Sequence, residues 1–237
     1  RFSRAAAHYS NYADLQAAIA EVLLKEAVPS GVVVDAGCGR GRDTHRLAQL
    51  ADVEYVLALD LSPAMLQAVP ISERIYPLCA DVENLPLATA SVNTVVSNFA
   101  LQWCQSPPHV AAEIARVLIK QGRLYASMPG PGSLAALHRS GFLINQFTEA
   151  AEWQAAFLTA GFQAVNVRQQ SFVLHFREAR SLLKALQGIG AGSVDRQRAN
   201  HLKGTMWWKN ACTALESERE AEGIPLRYHV IFIEATR

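Results

Sequence analysis

Short runs of β-branched and aliphatic residues recur along the first half of the chain. They cover Val32-Val33-Val34 and residues 55–59, 75–80, 92–97 and 122–128, and each ends at a polar or turn-forming residue. Such runs read as strands buried in a parallel sheet. Between them, residues 13–28, 43–50, 61–68 and 107–118 carry apolar side chains at helical spacing; in the first, Leu15, Ile19, Val22, Leu23 and Ala27 share a stripe. Past Pro129-Gly130-Pro131-Gly132 the pattern predicts a Leu-rich helix from Ser133, a helix over 149–160 stopped by Gly161, and an alternating strand over 162–176. Helices over 180–187 and 206–222 and a closing strand over 226–235 follow. Strand alternating with helix predicts an α/β fold with a seven-stranded, mostly parallel sheet and helices on both faces.

The first strand runs into Asp35-Ala36-Gly37-Cys38-Gly39-Arg40-Gly41, a tight turn before a helix. Glycine there permits positive φ and close approach of a ligand. The Gly-x-Gly-x-Gly spacing is one residue shorter than the dinucleotide fingerprint, so nothing in it demands a phosphate. The second strand ends in Asp60, where a carboxylate can accept from ribose hydroxyls; the bland alternative is a helix cap, a role that Ser62-Pro63 already fills. The third ends in Asp81-Val82, where an exocyclic amine can donate, although Asp is common in any loop. Leu61 and Met65 offer an apolar wall for a base. Asn98 and the following Phe99 to Trp103, with Gln102, sit at the fourth strand's carboxyl end, where open parallel sheets build their sites. Phe99, Leu101 and Trp103 fit a core role equally well.

With 22 basic and 21 acidic residues the net charge is +1, which gives no global pull toward nucleic acid. Cysteines 38, 79, 104 and 212 lack C-x-x-C spacing and read as reduced structural thiols, with no metal site. No apolar run approaches the ~20 residues of a membrane span. Arg1-Phe2-Ser3-Arg4 does not open a signal peptide, and a cytoplasmic enzyme is expected.

Val34-Asp35-Ala36-Gly37-Cys38-Gly39-x-Gly41, Asp60 and Asp81, with Glu113-Ile-Ala-Arg-Val-Leu and Gly122-Arg-Leu, resemble the class I S-adenosylmethionine-dependent methyltransferases of Rossmann-like fold. Within that class the chain resembles the malonyl-acyl-carrier-protein O-methyltransferases of biotin synthesis across its whole length. The carrying residues are Arg1-Phe2-Ser3-Arg4-Ala5-Ala6-x-x-Tyr9 with Asp14-Leu15-Gln16, Leu101-Gln102-Trp103-Cys104, Leu183-Lys184 through Ile189-Gly190-Ala191, and Pro225-Leu226-x-Tyr228-x-Val230-Ile231. One departure is His201-Leu202-Lys203-Gly204-Thr205, where the family carries an Arg-rich stretch and a Leu-Thr-Gly-Arg-like turn. The resemblance implies one methyltransferase domain over 1–237. In it, 1–29 form a lid and helix, 30–130 the cofactor core, and 131–237 an acceptor side with a basic lid insertion at 188–204.

Asp35 reads most simply as a strand-end carboxylate capping the glycine turn's amides; the resemblance implies that it does so and also helps to place the methionine amino group, with further cofactor contacts from Gly37, Gly39, Asp60, Leu61, Met65, Asp81, Val82 and Asn98. Tyr9 becomes the hydrogen-bonding positioner of the acceptor; its bland role is to anchor the chain end. An ionised malonyl carboxylate needs no general base and no metal, so catalysis is expected from positioning and exclusion of water. Gln102, Trp103, His138 and Arg139 are acceptor-side candidates, the arginine reading equally as surface. Arg196, Arg198, Lys203 and Lys209 are candidates for docking an acidic acyl carrier protein, with malonyl-coenzyme A a possible alternative carrier. Two readings compete: a methyltransferase of the same fold with another small acceptor, and a non-catalytic nucleotide-binding protein.

Overall fold

The computed structural model describes residues 12–25, 27–187 and 205–237. Its seven strands are β1 Gly31–Ala36, β2 Val53–Asp60, β3 Ile75–Cys79, β4 Val92–Asn98, β5 Leu118–Pro129, β6 Ala164–Phe176 and β7 Ile224–Thr236. The helices are α1 Tyr12–Leu24, α2 Arg42–Ala48, α3 Pro63–Leu66, α4 Pro107–Val117, α5 Ala135–Arg139, α6 Ala150–Thr159, α7 Ala179–Gln187 and α8 Thr205–Glu216, with a 3-10 turn at Leu101–Trp103.

All seven strands join one sheet in the order β3-β2-β1-β4-β5-β7-β6. The pairs β1/β2, β1/β4, β2/β3 and β4/β5 are parallel. Gly122 accepts from the Arg237 amide, and Gly130 donates to His229, so β7 runs antiparallel to β5. Strand order reverses at β1, which has β2 on one side and β4 on the other; the carboxyl ends of such a pair open a crevice for ligands. The α/β sheet expected from the sequence is therefore present.

The chain divides into two compact units. One comprises Ala18–Pro129, Thr148–Gln169 and Ile231–Arg237. Its core gathers Val34, Leu59, Val95, Ile114, Leu124, Met128, Trp153, Phe157 and Ile233, all buried. In β1 and β4 the consecutive pairs Val33-Val34 and Val95-Val96 are all fully buried, because both faces of these central strands are covered. The other unit comprises Arg1–Ala17, Gly130–Phe147 and Gln170–Val230. Within it Phe142 meets Trp207 edge to face, with ring centroids 5.0 Å apart.

Several boundaries differ from the sequence pattern. Helix α1 stops at Leu24, short of 28, and Pro29 disfavours helical backbone at Val28 itself. Strand β5 starts at Leu118, taking over the end of the predicted 107–118 helix, and pairs there with Val92. The helix expected over 206–222 ends at Glu216. Gly223 makes a tight turn into β7 at φ +130°, where a Cβ would come within 2.7 Å of the Phe176 carbonyl. Of the lid and helix expected over 1–29, residues 1–11 and 26 lie outside the described residues, as does the whole insertion at 188–204. No helix among the described residues is long and apolar enough to cross a membrane.

Candidate functional site

The turn after β1 spends its own amides. Gly37 and Cys38 both donate to the Leu59 carbonyl, at 2.8 and 2.9 Å, and Gly41 donates to Cys38 at 3.0 Å. Gly39 donates to the Asp60 carboxylate at 2.9 Å. A phosphate, which binds through unspent amides, would find none at these four positions. Gly37 is required sterically: at φ +78° its Cβ would lie 2.1 Å from that of Ala100. Gly39, at φ +55°, faces open space: among the described residues, its chain neighbours aside, no heavy atom lies within 4 Å of where its Cβ would stand.

Three carboxylates surround this turn. Asp35 is 2% exposed and accepts a 2.5 Å hydrogen bond from the Thr44 hydroxyl. Burial pushes its carboxyl up to about 7; the Thr44 hydrogen bond pulls the other way, and the charges of Asp43 and Asp60 push in the same direction as burial. Asp43, in the first turn of α2, accepts from Asn98 Nδ2 at 2.9 Å through Oδ2. Its Oδ1 is buried with no hydrogen-bond donor among the described residues. Burial holds this carboxyl above the usual range, against the pull of the Asn98 hydrogen bond and the charges of Arg46 and Arg42. Asp60 takes the Ser62 amide at 2.8 Å in addition to Gly39. A concentration of acidic groups with spent amides favours a cationic ligand over a dinucleotide pyrophosphate.

Two details depart from the sequence reading. The glycine-turn amide assigned to Asp35 belongs to Asp60, because Asp35 is turned onto Thr44. Ser62 precedes α3 but makes no side-chain cap, its own amide being held by Asp60.

Beyond Asp60 the apolar candidates stand open, Leu61 at 69% and Met65 at 44% exposure. Asp81 is exposed and accepts the Glu83 amide at 2.9 Å; Val82 is half-buried. The loop following Asp81 is clamped by the Glu113/Arg116 pair. Glu113 accepts the Leu85 amide at 2.8 Å, and Arg116 donates to the carbonyls of Leu85 and Leu87 at 2.8 and 2.7 Å. The Glu-Ile-Ala-Arg motif thus supports the site from beneath. At the β4 end, Ser127 Oγ donates to Asn98 Oδ1 at 2.7 Å, fixing the amide that reaches Asp43. Of the undecided aromatic and aliphatic residues that follow, Phe99 and Leu101 are buried, and Trp103 is 49% exposed. Gln102 Nε2 donates to the Phe99 carbonyl at 2.7 Å, and its Oε1 is buried without a donor.

Other candidates lie in the second unit. His138 is exposed, and Arg139 forks onto Glu218 at 2.7 and 2.8 Å, which occupies its guanidinium. Lys209 is exposed on α8. Tyr9, Arg196, Arg198 and Lys203 fall outside the described residues. His175, Glu220 and Glu222 bring ligand-type atoms within 4.8 Å of one another, but Glu220 is already ion-paired with Arg227.

Asp43 and Thr44 escaped the sequence reading. Their only signal was an Asp-Thr pair two residues past the last turn glycine. An acidic residue in a first helical turn is ordinary enough to be passed over.

The "Methyltransferase domain" family matches residues 34–126, which contain this site. The chain is 38% identical over 250 residues to a malonyl-[acyl-carrier protein] O-methyltransferase of Alcanivorax borkumensis, covering 100% of this chain and 84% of that one. It is 32% identical over 247 residues to the biotin biosynthesis bifunctional protein BioHC of Cellvibrio japonicus, covering 98% of this chain and 48% of that protein. Among solved structures, the YcgJ protein of Bacillus subtilis superposes with a TM-score of 0.66 at 16% identity, covering 95% and 99% of the two chains. Full-length identity at that level, on a Rossmann-like α/β sheet with this glycine turn, places the chain in the malonyl-[acyl-carrier protein] O-methyltransferase family.

Proposed function

We propose that the protein transfers a methyl group from S-adenosylmethionine to the free carboxylate of malonyl-acyl carrier protein, giving the methyl ester and S-adenosylhomocysteine in biotin synthesis. The observation that carries the cofactor half is the pairing of a glycine turn whose amides are spent with three surrounding carboxylates. S-adenosylmethionine is a sulfonium, and when bound it supplies an electrophilic methyl group.

Each residue has a task. Asp60 accepts the ribose hydroxyls on the lone pairs that Gly39 and Ser62 leave over, since a carboxylate offers about four acceptor sites. Asp81 receives the adenine amino group, and Leu61, Met65 and Val82 flank the ring. Gly37 and Gly39 let the ligand lie against the backbone, and the buried Asp35 supplies negative field rather than contact. Asn98 lines the turn's other side. Tyr9 orients the acceptor carboxylate, and Gln102 and Trp103 border it. The ionised carboxylate is already a nucleophile, so positioning and exclusion of water carry the rate.

Arg196, Arg198, Lys203 and Lys209 would dock the acidic carrier, and His138 lies on the acceptor side. A lid and helix over 1–29 and a lid at 188–204 complete a single cytoplasmic methyltransferase domain. Labelled S-adenosylmethionine is the test, offered with malonyl-acyl carrier protein, malonyl-coenzyme A, acetyl-acyl carrier protein and a free dicarboxylic acid in parallel. Transfer that needs both the carboxylate and the carrier upholds the reading. Transfer to the acetyl carrier, or to none of the four, refutes it.

A further inference from the structure

We propose that Asp43 is the residue that receives the α-ammonium group of S-adenosylmethionine, through the buried carboxylate oxygen that no group among the described residues satisfies. The inference rests on the reading of this site as an S-adenosylmethionine site.

Strand order gives the direction of the ligand. Across the carboxyl edge, Asp81 follows β3, Asp60 ends β2, the glycine turn follows β1 and Asn98 ends β4. With adenine at β3 and ribose at β2, the methionyl end falls toward β1 and β4. There Asp43 is tied by its Oδ2 to Asn98, at 2.9 Å.

The carboxylate is also held in place before any ligand arrives. Ser127, fully buried, donates to Asn98 Oδ1 at 2.7 Å and accepts the Phe99 amide on its carbonyl at 2.9 Å. Phe99 itself sits in the left-handed region at φ +56°, a strained conformation for a bulky side chain and of a kind that gathers at functional sites. This chain of bonds fixes one oxygen of Asp43 and leaves Oδ1 buried without a donor. A buried, unsatisfied charged acceptor is costly in the empty protein. An ammonium, with three donors and a full charge, is the group that relieves it.

The other nearby carboxylates are committed. Asp35 is turned onto Thr44, and both oxygens of Asp60 already hold backbone amides. Arg46 and Arg42 act on Asp43 only through their charge, and both are exposed. Gln102 Oε1, a second buried acceptor without a donor, lies just past the same strand end.

Calorimetric titration with two ligands tests the assignment: S-adenosylhomocysteine, and its analogue with hydrogen in place of the α-amino group. Each is titrated into the wild type and Asp43→Asn. The expected result is a loss of about tenfold or more for S-adenosylhomocysteine in the variant, with the deamino analogue unchanged within about twofold. Equal weakening of both ligands would make Asp43 a structural residue and overturn the proposal, as would no weakening of either. If Asp43→Asn does not fold, Asp43→Ser is read by the same comparison. Failure of the wild type to bind either ligand would instead remove the cofactor reading itself, and the proposal with it.

Discussion

Asp60, at the end of β2, accepts the amide of Gly39, twenty-one positions earlier in the chain, at 2.9 Å. One carboxylate therefore shapes the glycine turn and, in the proposed complex, holds the ribose. The two tasks separate by substitution. Asp60→Asn keeps one acceptor oxygen for Gly39 but turns its NH2 toward the Ser62 amide, so it is expected to lose some stability, less than alanine does, and to lose affinity for S-adenosylhomocysteine. Asp60→Ala leaves the Gly39 and Ser62 amides without their acceptor and should lose about 1–3 kcal/mol of stability as well. Denaturant unfolding beside calorimetric binding separates the two effects.

The glycines of the turn should respond in opposite ways. Alanine at Gly37 must both adopt φ +78° and place a Cβ 2.1 Å from Ala100. Left-handed strain of about 1–2 kcal/mol and overpacking of about 1–3 kcal/mol then add, and the fold around the turn should fail. Alanine at Gly39 meets nothing within 4 Å and should cost only the strain, about 1–2 kcal/mol. Its methyl enters the open space over the turn, so the stable Gly39→Ala protein is expected to bind S-adenosylhomocysteine weakly. A Gly39→Ala protein with full affinity would show that the ligand lies elsewhere.

Asp35 predicts a pH dependence. Its carboxyl stands at about 7 in the folded chain against an ordinary 3.8. The folded state thus keeps a proton that the unfolded chain releases. The group is neutral to stability below the unfolded value, disfavours folding increasingly as pH rises toward 7, and levels off above it. The full shift corresponds to about 4 kcal/mol. Binding a cation favours the ionised carboxylate, which also feels Asp43 and Asp60. Affinity for the sulfonium should therefore rise with pH through about 7, with proton release on binding. Calorimetry at about pH 6.5 in buffers of different ionisation enthalpy reads that proton. Asp35→Asn should abolish the release, and wild-type binding without proton exchange would refute the assignment.

The sheet and the three acidic strand ends were legible because their signal is local. A β-branched run closing on Asp35, Asp60 or Asp81 fixes both the strand and the end at which the carboxylate stands. What each carboxylate touches was not legible. Asp60 and not Asp35 holds the turn amide because Thr44 lies within reach of Asp35 and Gly39 of Asp60, a matter of how α2 packs over the turn. Arg139 looked available until Glu218, 79 residues away, took its guanidinium. Asp43 was hidden for the same reason: its significance is one missing partner, which only the folded chain reveals.

Carrier docking, proposed through Arg196, Arg198, Lys203 and the exposed Lys209, makes a prediction that leaves the cofactor untouched. The chain as a whole, at net charge +1, offers no long-range attraction to an acidic protein, so the interaction must be local. Exposed charges are screened over about 8 Å at physiological salt, so KM for malonyl-acyl carrier protein should climb as salt is raised. The Kd for S-adenosylmethionine rests chiefly on Asp35, Asp43 and Asp60, which are buried or half-buried, and should move little. Lys209→Glu is expected to raise KM for the carrier-bound substrate by about tenfold at low salt and to leave the reaction with malonyl-coenzyme A, where that occurs, unaltered. Equal salt sensitivity of KM and Kd would place the electrostatic contribution in the cofactor site and leave the basic patch without a role.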